Sequence, residues 1–527
     1  MHQIDLRIKQ MANKKLFNSL RGWLVPAADA VNEEGAAAYR FSPEAELAQY
    51  AATGCLNSTF YASAQDQLVK VLALSGRVDS EFIALTAIYC RERGFMKDMP
   101  ALLCALLSVR DKRLFAEVFP RVIDNAKMLR TFVQIMRSGA VGRKSLGTAP
   151  KRMVREWLEA RDDETLFKAS VGQSPSMADI IKMVHPRPGL KAREALLGYL
   201  IGKQHDARLL PELIRNFEAF KRGTVQQLPD VPFQMLTALD LGASEWTAIA
   251  RNAPWQMTRM NLNTFARHGV FERHRMAELI AERLRDPKAI RAARALPYQL
   301  LAAHASAVEE VPRIVKHALE DALEIATSNV PAIDGKVYCC PDVSGSMQSP
   351  VTGYRRGSTT AVRCVDVAAL MAASVLRRNP KAEVLPFEND VVSLRLNGGE
   401  RITKNAAKLA SVGGGGTNCS APLRLLNQQN ARGDLVIFVS DNESWVDAGR
   451  GRGTATMAEW NQFKQRNPRA RLVCIDIQPY GTTQAHERTD ILNIGGFSDQ
   501  VFEVVAEFAA GRLTPEHWIG VINGVKM

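Results

Sequence analysis

The chain has 527 residues, 46% of them hydrophobic and 23% charged, with a formal net charge of +13. That length exceeds one ordinary hydrophobic core and calls for at least two domains. No apolar run reaches membrane-spanning length, and the longest, Val367–Leu376, is bracketed by Asp366 and Arg377, which excludes a transmembrane helix. The surplus of cations fits polyanionic partners, although a solvated surface rich in lysine and arginine gives the same count.

The N-terminus, MHQIDLRIKQMANKKLF, lacks the apolar core of a secretory signal. Eight cysteines are scattered without a CxxC pair, and Cys339 and Cys340 point to opposite faces of their predicted strand. Both facts argue against a zinc site and a disulfide framework, so a reducing, cytoplasmic setting is expected. There the sequon Asn57-Ser58-Thr59 carries no glycan. From about residue 60 to 328 the pattern is helical, with no strand-like alternation. Leu85, Ile88 and Tyr89 share one stripe, and Leu102, Leu103, Leu106 and Leu107 another. Further helices are predicted over Lys191–Ile201, Pro211–Phe220, Val270–Arg285 and Val311–Ser328. Several stripes are apolar on more than one side, as expected of helix pairs stacked between neighbours. Residues 1–328 are therefore read as a HEAT-like α-helical solenoid.

Around Asn329–Gly335 the texture changes, and residues 329–527 are read as a second, α/β domain. Val337–Cys340, Leu435–Val439 and Leu472–Ile477 are near-continuous apolar runs, the mark of strands buried on both faces. Thr359–Arg378, Ala421–Gln429, Thr454–Arg466 and Gln500–Ala510 read as the intervening helices. This alternation predicts a doubly wound parallel sheet whose ligand site lies beyond the carboxyl ends of its strands. Pro386, within Val384–Phe387, lacks an N–H for the ladder and puts that strand at an edge.

Asp342, Ser344 and Ser346 alternate just after the first of these strands, so they face the same way. Thr417 follows the run Gly413–Gly416, and Asp441 ends the strand Leu435–Ser440. Two carboxylates and three hydroxyls thus gather from three loops at one sheet edge, a donor set that suits a hard dication such as Mg²⁺. Taken singly they also fit helix caps and turn formers. Three neutral hydroxyls leave the dication under-neutralised, so it should recruit a carboxylate or phosphate from outside or keep water. Glu443, close behind Asp441, is a competitor for that open position or a ligand through water.

The motif resembles the metal-ion-dependent adhesion site of von Willebrand A domains, although many of those have Asp-Gly where this chain has Asp441-Asn442. With a helical array before it, the whole chain resembles the Ro RNA-binding family, which joins a TROVE module to a C-terminal von Willebrand A domain. GGTNCSAPL at Gly415–Leu423, FVSDNESW at Phe438–Trp445 and ILNIGGFSD at Ile491–Asp499 are similar to the family's C-terminal signature. IIKMVHPRP at Ile181–Pro188, the Trp157 helix, RMNLNTF at Arg259–Phe265 and LPYQLLAAHAS at Leu296–Ser306 resemble its helical segments. The resemblance implies helical repeats bent into a closed ring, with the metal domain bridging the two ends. It also implies the ligands: single-stranded 3′ ends of misfolded or precursor noncoding RNA in the central hole, and a small Y-type stem-loop RNA outside. The implied role is RNA quality control or maturation by a monomer without chemistry of its own, with an exoribonuclease as a further partner.

On that premise, Arg137, Arg143, Lys144, Lys151 and Arg152 form a run of basic residues with no acid between the first and last, broken by Gly139, Gly142 and Gly147. Such a run suits phosphate contacts, which are salt-dependent and largely blind to sequence. His185 sits where the family has a histidine tied to RNA binding, held between a helix end and Pro186, and Lys168 and Lys182 are its neighbours. Arg259, Asn261 and Arg267 carry groups that single-stranded RNA needs, or else line the solenoid structurally. Two other classes compete with this reading. A protein-interaction adaptor would use the metal site to grip an acidic side chain. A metal-dependent hydrolase would need a nucleophile, yet Ser344 stands two residues after Asp342 with no histidine in the motif to activate it.

Overall fold

The computed structural model describes residues 25–54, 56–293, 297–327, 330–354, 362–447, 453–514 and 516–527. The predicted N-terminal segment 1–17, Leu296, Ser328, Asn329 and the first residues of the predicted helix Thr359–Arg378 lie outside the described residues. Two short strands come first, β1 (Ala30–Val31) and β2 (Ala37–Arg40), paired antiparallel. The helical array then begins with α1 (Pro43–Thr53), α2 (Ala64–Ser75), α3 (Ser80–Glu92), α4 (Asp98–Arg110), α5 (Lys112–Val122) and α6 (Ala126–Ser138). It continues through α7 (Thr148–Glu159), α8 (Asp163–Lys168), α9 (Met177–Val184), α10 (Lys191–Leu200), α11 (Glu212–Lys221) and α12 (Phe233–Leu236). Its last members are α13 (Ala243–Asn252), α14 (Trp255–Met260), α15 (Leu262–Arg267), α16 (Met276–Arg285), α17 (Pro287–Ala293), α18 (Pro297–Ala305) and α19 (Arg313–Ala326).

Most helices pack on near neighbours in sequence, as a solenoid requires. α4 is buried all round, from Met99 to Ser108, because α1, α3, α5 and α6 surround it. A helix apolar on every side is stable only in such a place. Polar first turns mark where helices start. Asp79, Asn125 and Asp162 each accept a hydrogen bond from a backbone N–H of the helix that follows, and Ser176 with Asp179 forms a reciprocal cap on α9.

The predicted helix Val270–Arg285 is corrected. Val270–Glu272 forms one 3₁₀ turn, Arg275 adopts φ +57°, and the α-helix starts only at Met276. No proline or glycine marks the break within Phe271–Arg275, so apolar periodicity ran through it.

The C-terminal domain holds β3 (Val337–Pro341), β4 (Glu383–Val384), β5 (Leu435–Ser440), β6 (Arg471–Asp476), β7 (Thr482–Thr483) and β8 (Ile491–Gly495). Its helices are α20 (Cys364–Arg378), α21 (Ile402–Ala410), α22 (Ala421–Gln428), α23 (Ala455–Arg466), α24 (Asp499–Ala509) and α25 (His517–Asn523). Five strands make a parallel sheet in the order β4-β3-β5-β6-β8. β4 is an edge, as Pro386 requires, and Leu385 and Phe387 on either side of the proline donate to the carbonyls of Cys339 and Pro341. Cys339 belongs to the apolar core on one face of the sheet and Cys340 to the core on the other. The chain runs to β4 on one side of β3 and returns to β5 on the other, so the strand order reverses between β3 and β5. A doubly wound sheet opens its crevice at that point.

Two attachments join the array to this domain. On one side α1 packs on β8, and α25 packs on α1 and α3, with the Trp518 indole donating to the Tyr89 hydroxyl at 3.1 Å. On the other, α18 packs on α20 and α19 on α21, where Arg401 pairs with Glu320 and Asp321. The β1–β2 hairpin adds to the first attachment: Tyr39 and Arg40 pair antiparallel with Thr483 and Thr482 of β7. At two and four residues these strands are too short to show alternation in the sequence.

Candidate metal centre and nucleic-acid face

Asp342 follows β3 and Asp441 follows β5, the two adjacent strands that flank the crevice. Loop Asp342–Ser346 turns sharply because the Ser344 N–H donates to Asp342 Oδ1 at 2.8 Å, while the Ser440 hydroxyl donates to Oδ2 at 2.6 Å. The glycine loop is stapled to it, with Gly414 N–H on the Val343 carbonyl and Gly345 N–H on the Gly415 carbonyl, each at 2.8 Å. Gly413 is obligatory there: its φ is +87°, and a Cβ would stand 2.2 Å from the Val343 oxygen. The third loop joins through Trp445 and Val446, whose N–H groups donate to the Thr417 carbonyl. The structure therefore brings all five predicted donors to one crevice, and Asp342, Ser344, Ser346, Thr417 and Asp441 are all buried. Ser344 and Ser346 hydroxyls lie 3.3 Å apart.

Electrostatically this crevice is acidic. Burial, then the charge of Asp441, pushes the Asp342 carboxyl up to about 7. Asp441 is raised by burial against the opposing hydrogen bond from Ser346. Burial and Asp441 raise Glu443 to about 9, and Asp476, at the end of β6, rises well above the carboxylate range from burial, Glu443 and Asp441. No lysine or arginine pairs with these four among the described residues, and Glu443 Oε1 and Asp476 Oδ1 are buried without a hydrogen-bond partner. Unpaired buried carboxylates are costly, so this donor set fits a bound dication. Asp342, Asp441, Ser344, Ser346 and Thr417 would hold it, and when bound it would neutralise the crevice and offer an electropositive point to an oxygen ligand. Asp476 and Ser440 escaped the sequence reading, since neither belongs to the Asp-x-Ser-x-Ser, Thr417 and Asp441 pattern.

The basic residues gather mostly on α6, α7 and α9, the last of which packs against each of the other two. Arg137 lies in the last turn of α6, and Asp179 in the first turn of α9 feels its charge. Between α6 and α7 the loop is built on Gly139, Gly142 and Gly147, all at positive φ. The Lys144 stem lies over Gly139 and the Arg143 guanidinium over Gly147. Arg137, Lys144 and Arg152 are exposed, and Arg143 and Lys151 partly so. α9 ends at His185, whose φ of +49° terminates the helix and whose side chain is exposed. Lys182 is exposed one turn earlier. Arg155 reaches from α7 to the Val184 carbonyl and fixes that end, a contact the sequence did not suggest.

Other predicted residues stand apart from this group. Lys168 pairs with the exposed Asp230 at 2.7 Å. Arg259 donates to the Gln299 carbonyl at 2.8 Å, and burial pushes its guanidinium pKa down, the signature of an internal tie. Asn261 donates to the Met257 carbonyl, and Arg267 is exposed at the end of α15.

Residues 112–330 match the TROVE domain and residues 336–509 the Ro60 vWA domain. Over 520 residues the chain is 26% identical to the RNA-binding protein RO60 of Deinococcus radiodurans, covering 92% of this chain and 95% of that one. RO60 of Caenorhabditis elegans is 26% identical over 246 residues, 44% of this chain and 37% of that protein. The crystal structure of the Deinococcus radiodurans RO (RSR) protein superposes with a TM-score of 0.61 at 23% identity, over 90% of this chain and all of that one.

Proposed function

Because the chain belongs to the Ro family, which joins a TROVE domain to a Ro60 von Willebrand A domain, we propose that it is a non-catalytic RNA-binding protein. The observation that carries this reading is the exposed cationic face of α6, α7 and α9, with His185 at its end. Glycine turns let phosphates approach the backbone there, and an exposed imidazole serves to stack on an unpaired base. Lys168 remains available, because a phosphate competes readily with an exposed ion pair worth about 0–1 kcal/mol. A small Y-type stem-loop RNA binds this outer face. Misfolded or precursor noncoding RNA enters by its single-stranded end, and an exoribonuclease acts on what the protein retains.

The array closes through the C-terminal domain into a monomeric ring. Two attachments at opposite ends of the array support closure. So does a cavity of about 450 Å³ lined by Arg91, Lys97 and Arg121 from the first helices, Gln256 and Tyr298 from the last, and Phe497 of the domain. Mg²⁺ in the crevice is structural in this reading. Among the described residues no helix is long and apolar enough to cross a membrane, in keeping with a cytoplasmic ribonucleoprotein. The adaptor reading draws on the same buried carboxylates, but the β1–β2 turn already lies against that loop, with the Asn32 amide donating to the Ser444 carbonyl and the Glu33 N–H to Glu443 Oε2.

The test is fluorescence anisotropy with a stem-loop RNA bearing a single-stranded tail, titrated at several salt concentrations. Wild type should bind with a steep salt dependence and leave the RNA intact. A protein that shows no affinity even at low salt, or that cleaves the RNA in proportion to its own concentration, would sink the proposal.

A further inference from the structure

Between α15 and α16 the chain turns repeatedly within Arg267–Arg275. α15 ends at Arg267, Gly269 takes φ +68°, Val270–Glu272 makes its 3₁₀ turn, and Arg275 leads into α16. The turn leaves Arg267, Arg273, His274 and Arg275 exposed. Among the described residues, none of the three guanidinium groups enters an ion pair or a hydrogen bond. Glu272, the one acid in the segment, leans its carboxylate back over Gly269 instead. Arginines elsewhere in the array are neutralised: Arg121 pairs with Glu92 at 2.7 Å and Arg285 with Asp321 at 2.8 Å. His268 stands within the same turn. Its imidazole lies flat on the Trp246 indole of α13, with centroids 4.1 Å apart and planes 11° from parallel. Trp246 is buried and braced from another side by Phe233, edge-on at 5.7 Å. His268 itself is only partly buried, and its ring nitrogens make no hydrogen bond among the described residues.

We propose that this turn is a second RNA contact, at which an unpaired base stacks on His268 and the phosphates on either side of it meet Arg267, Arg273 and Arg275. The inference rests on the RNA-binding reading and gives the protein a further point of grip, separate from the first. α13, α15 and α16 pack on one another, whereas the α6, α7 and α9 face belongs to a different set of helices. Charge selects the partner class, because unneutralised guanidinium groups crowded into one turn repel each other until a polyanion joins them. The stack selects the form of that polyanion. A paired base has both faces covered within its helix, so only an unpaired one can extend the Phe233–Trp246–His268 column. Trp246 fixes the plane of the imidazole in advance, so little side-chain freedom is left to lose when a base settles on it. Arginine contacts to phosphate supply affinity without regard to sequence, and the free ring nitrogens of His268 add a hydrogen bond to phosphate or ribose. A bare charge patch would need no aromatic column beneath it.

The experiment titrates the full-length chain with a fluorescent oligouridylate of about eight nucleotides, within the span that one stacking groove covers. His268→Ala should weaken binding about tenfold, the loss expected of one base–aromatic stack. His268→Tyr should restore most of it, since the phenol ring keeps a stacking face on Trp246. Arg267, Arg273 and Arg275 are exposed, so replacing all three with alanine leaves the core intact. That triple variant should flatten the log–log salt slope by about 2, at roughly 0.7 for each phosphate no longer neutralised. Photocrosslinking with 4-thiouridine in the oligomer should mark residues 267–275. Wild-type affinity and salt slope in the triple variant, or crosslinks confined to other segments, would overturn the inference. So would inorganic polyphosphate displacing the oligomer while His268→Ala still bound it undiminished, since the turn would then be a charge patch alone. Failure of the wild-type protein to bind both this oligomer and a tailed stem-loop at low salt would instead overturn the RNA-binding reading itself.

Discussion

Asp342 accepts from the Ser344 N–H and the Ser440 hydroxyl and still sits fully buried with its pKa pushed up to about 7. A carboxylate so placed costs stability until a cation joins it. Adding Mg²⁺ at about 100 times its Kd should therefore stabilise the protein by about 2.7 kcal/mol, read as a rise of several degrees in the melting temperature and reversed by chelation. Asp342→Ala should show no such rise. Gly413 sets a second expectation at this scale. Alanine there combines a left-handed φ with a Cβ at 2.2 Å from a carbonyl oxygen. The loop must move, at a cost of about 1–3 kcal/mol. Denaturant unfolding should register that loss, and calorimetry should show weaker Mg²⁺ binding, because the same loop carries Thr417.

Helix and strand are the scale at which sequence and structure compare most directly. α10, α19, α22, α23 and α24 fall within two residues of their expected bounds because their apolar stripes are uninterrupted. The place of Asp342, Ser344, Ser346, Thr417 and Asp441 was legible for another reason: the Asp-x-Ser-x-Ser spacing and the glycine run mark loops just beyond predicted parallel strands. The roof over those donors was not legible. Asn32-Glu33-Glu34-Gly35 has the polar, glycine-bearing look of a hairpin turn, but nothing local says that it docks more than 400 residues away. The tie made by Arg259 was not legible either, since nothing in Thr258-Arg259-Met260 signals that a backbone carbonyl 40 residues on will accept from it. The α6–α7 loop carries its own prediction. Replacing Arg143, Lys144, Lys151 and Arg152 together with alanine should cut RNA affinity and flatten the log–log salt slope by as much as about 3, at roughly 0.7 for each phosphate no longer neutralised. His185→Ala should weaken binding to the single-stranded tail while leaving that slope nearly unchanged, because an imidazole stacked on a base releases few counterions.

For the whole molecule, what matters is that the array is fastened at both ends to one domain, so neither part is free to relax alone. α25 makes the first fastening, and Trp518 is its anchor: 2% exposed, packed against Tyr89 and hydrogen-bonded to it. Truncation to alanine should cost about 3–5 kcal/mol, but at a joint, not in either core. In wild type, calorimetry should show array and domain melting in a single transition, because each buries apolar surface on the other at two places. In Trp518→Ala that transition should split, the domain retaining its Mg²⁺ response. Binding of a blunt stem-loop RNA should survive, since α25 packs on α1, α3 and β8, away from the cationic face of α6, α7 and α9. Capture of a single-stranded tail should fall, since that requires the first and last helices to face each other across the cavity near Arg91 and Tyr298. Equal loss of both RNA types would mean that a single surface reads them, and the ring would then have no separate part in recognition.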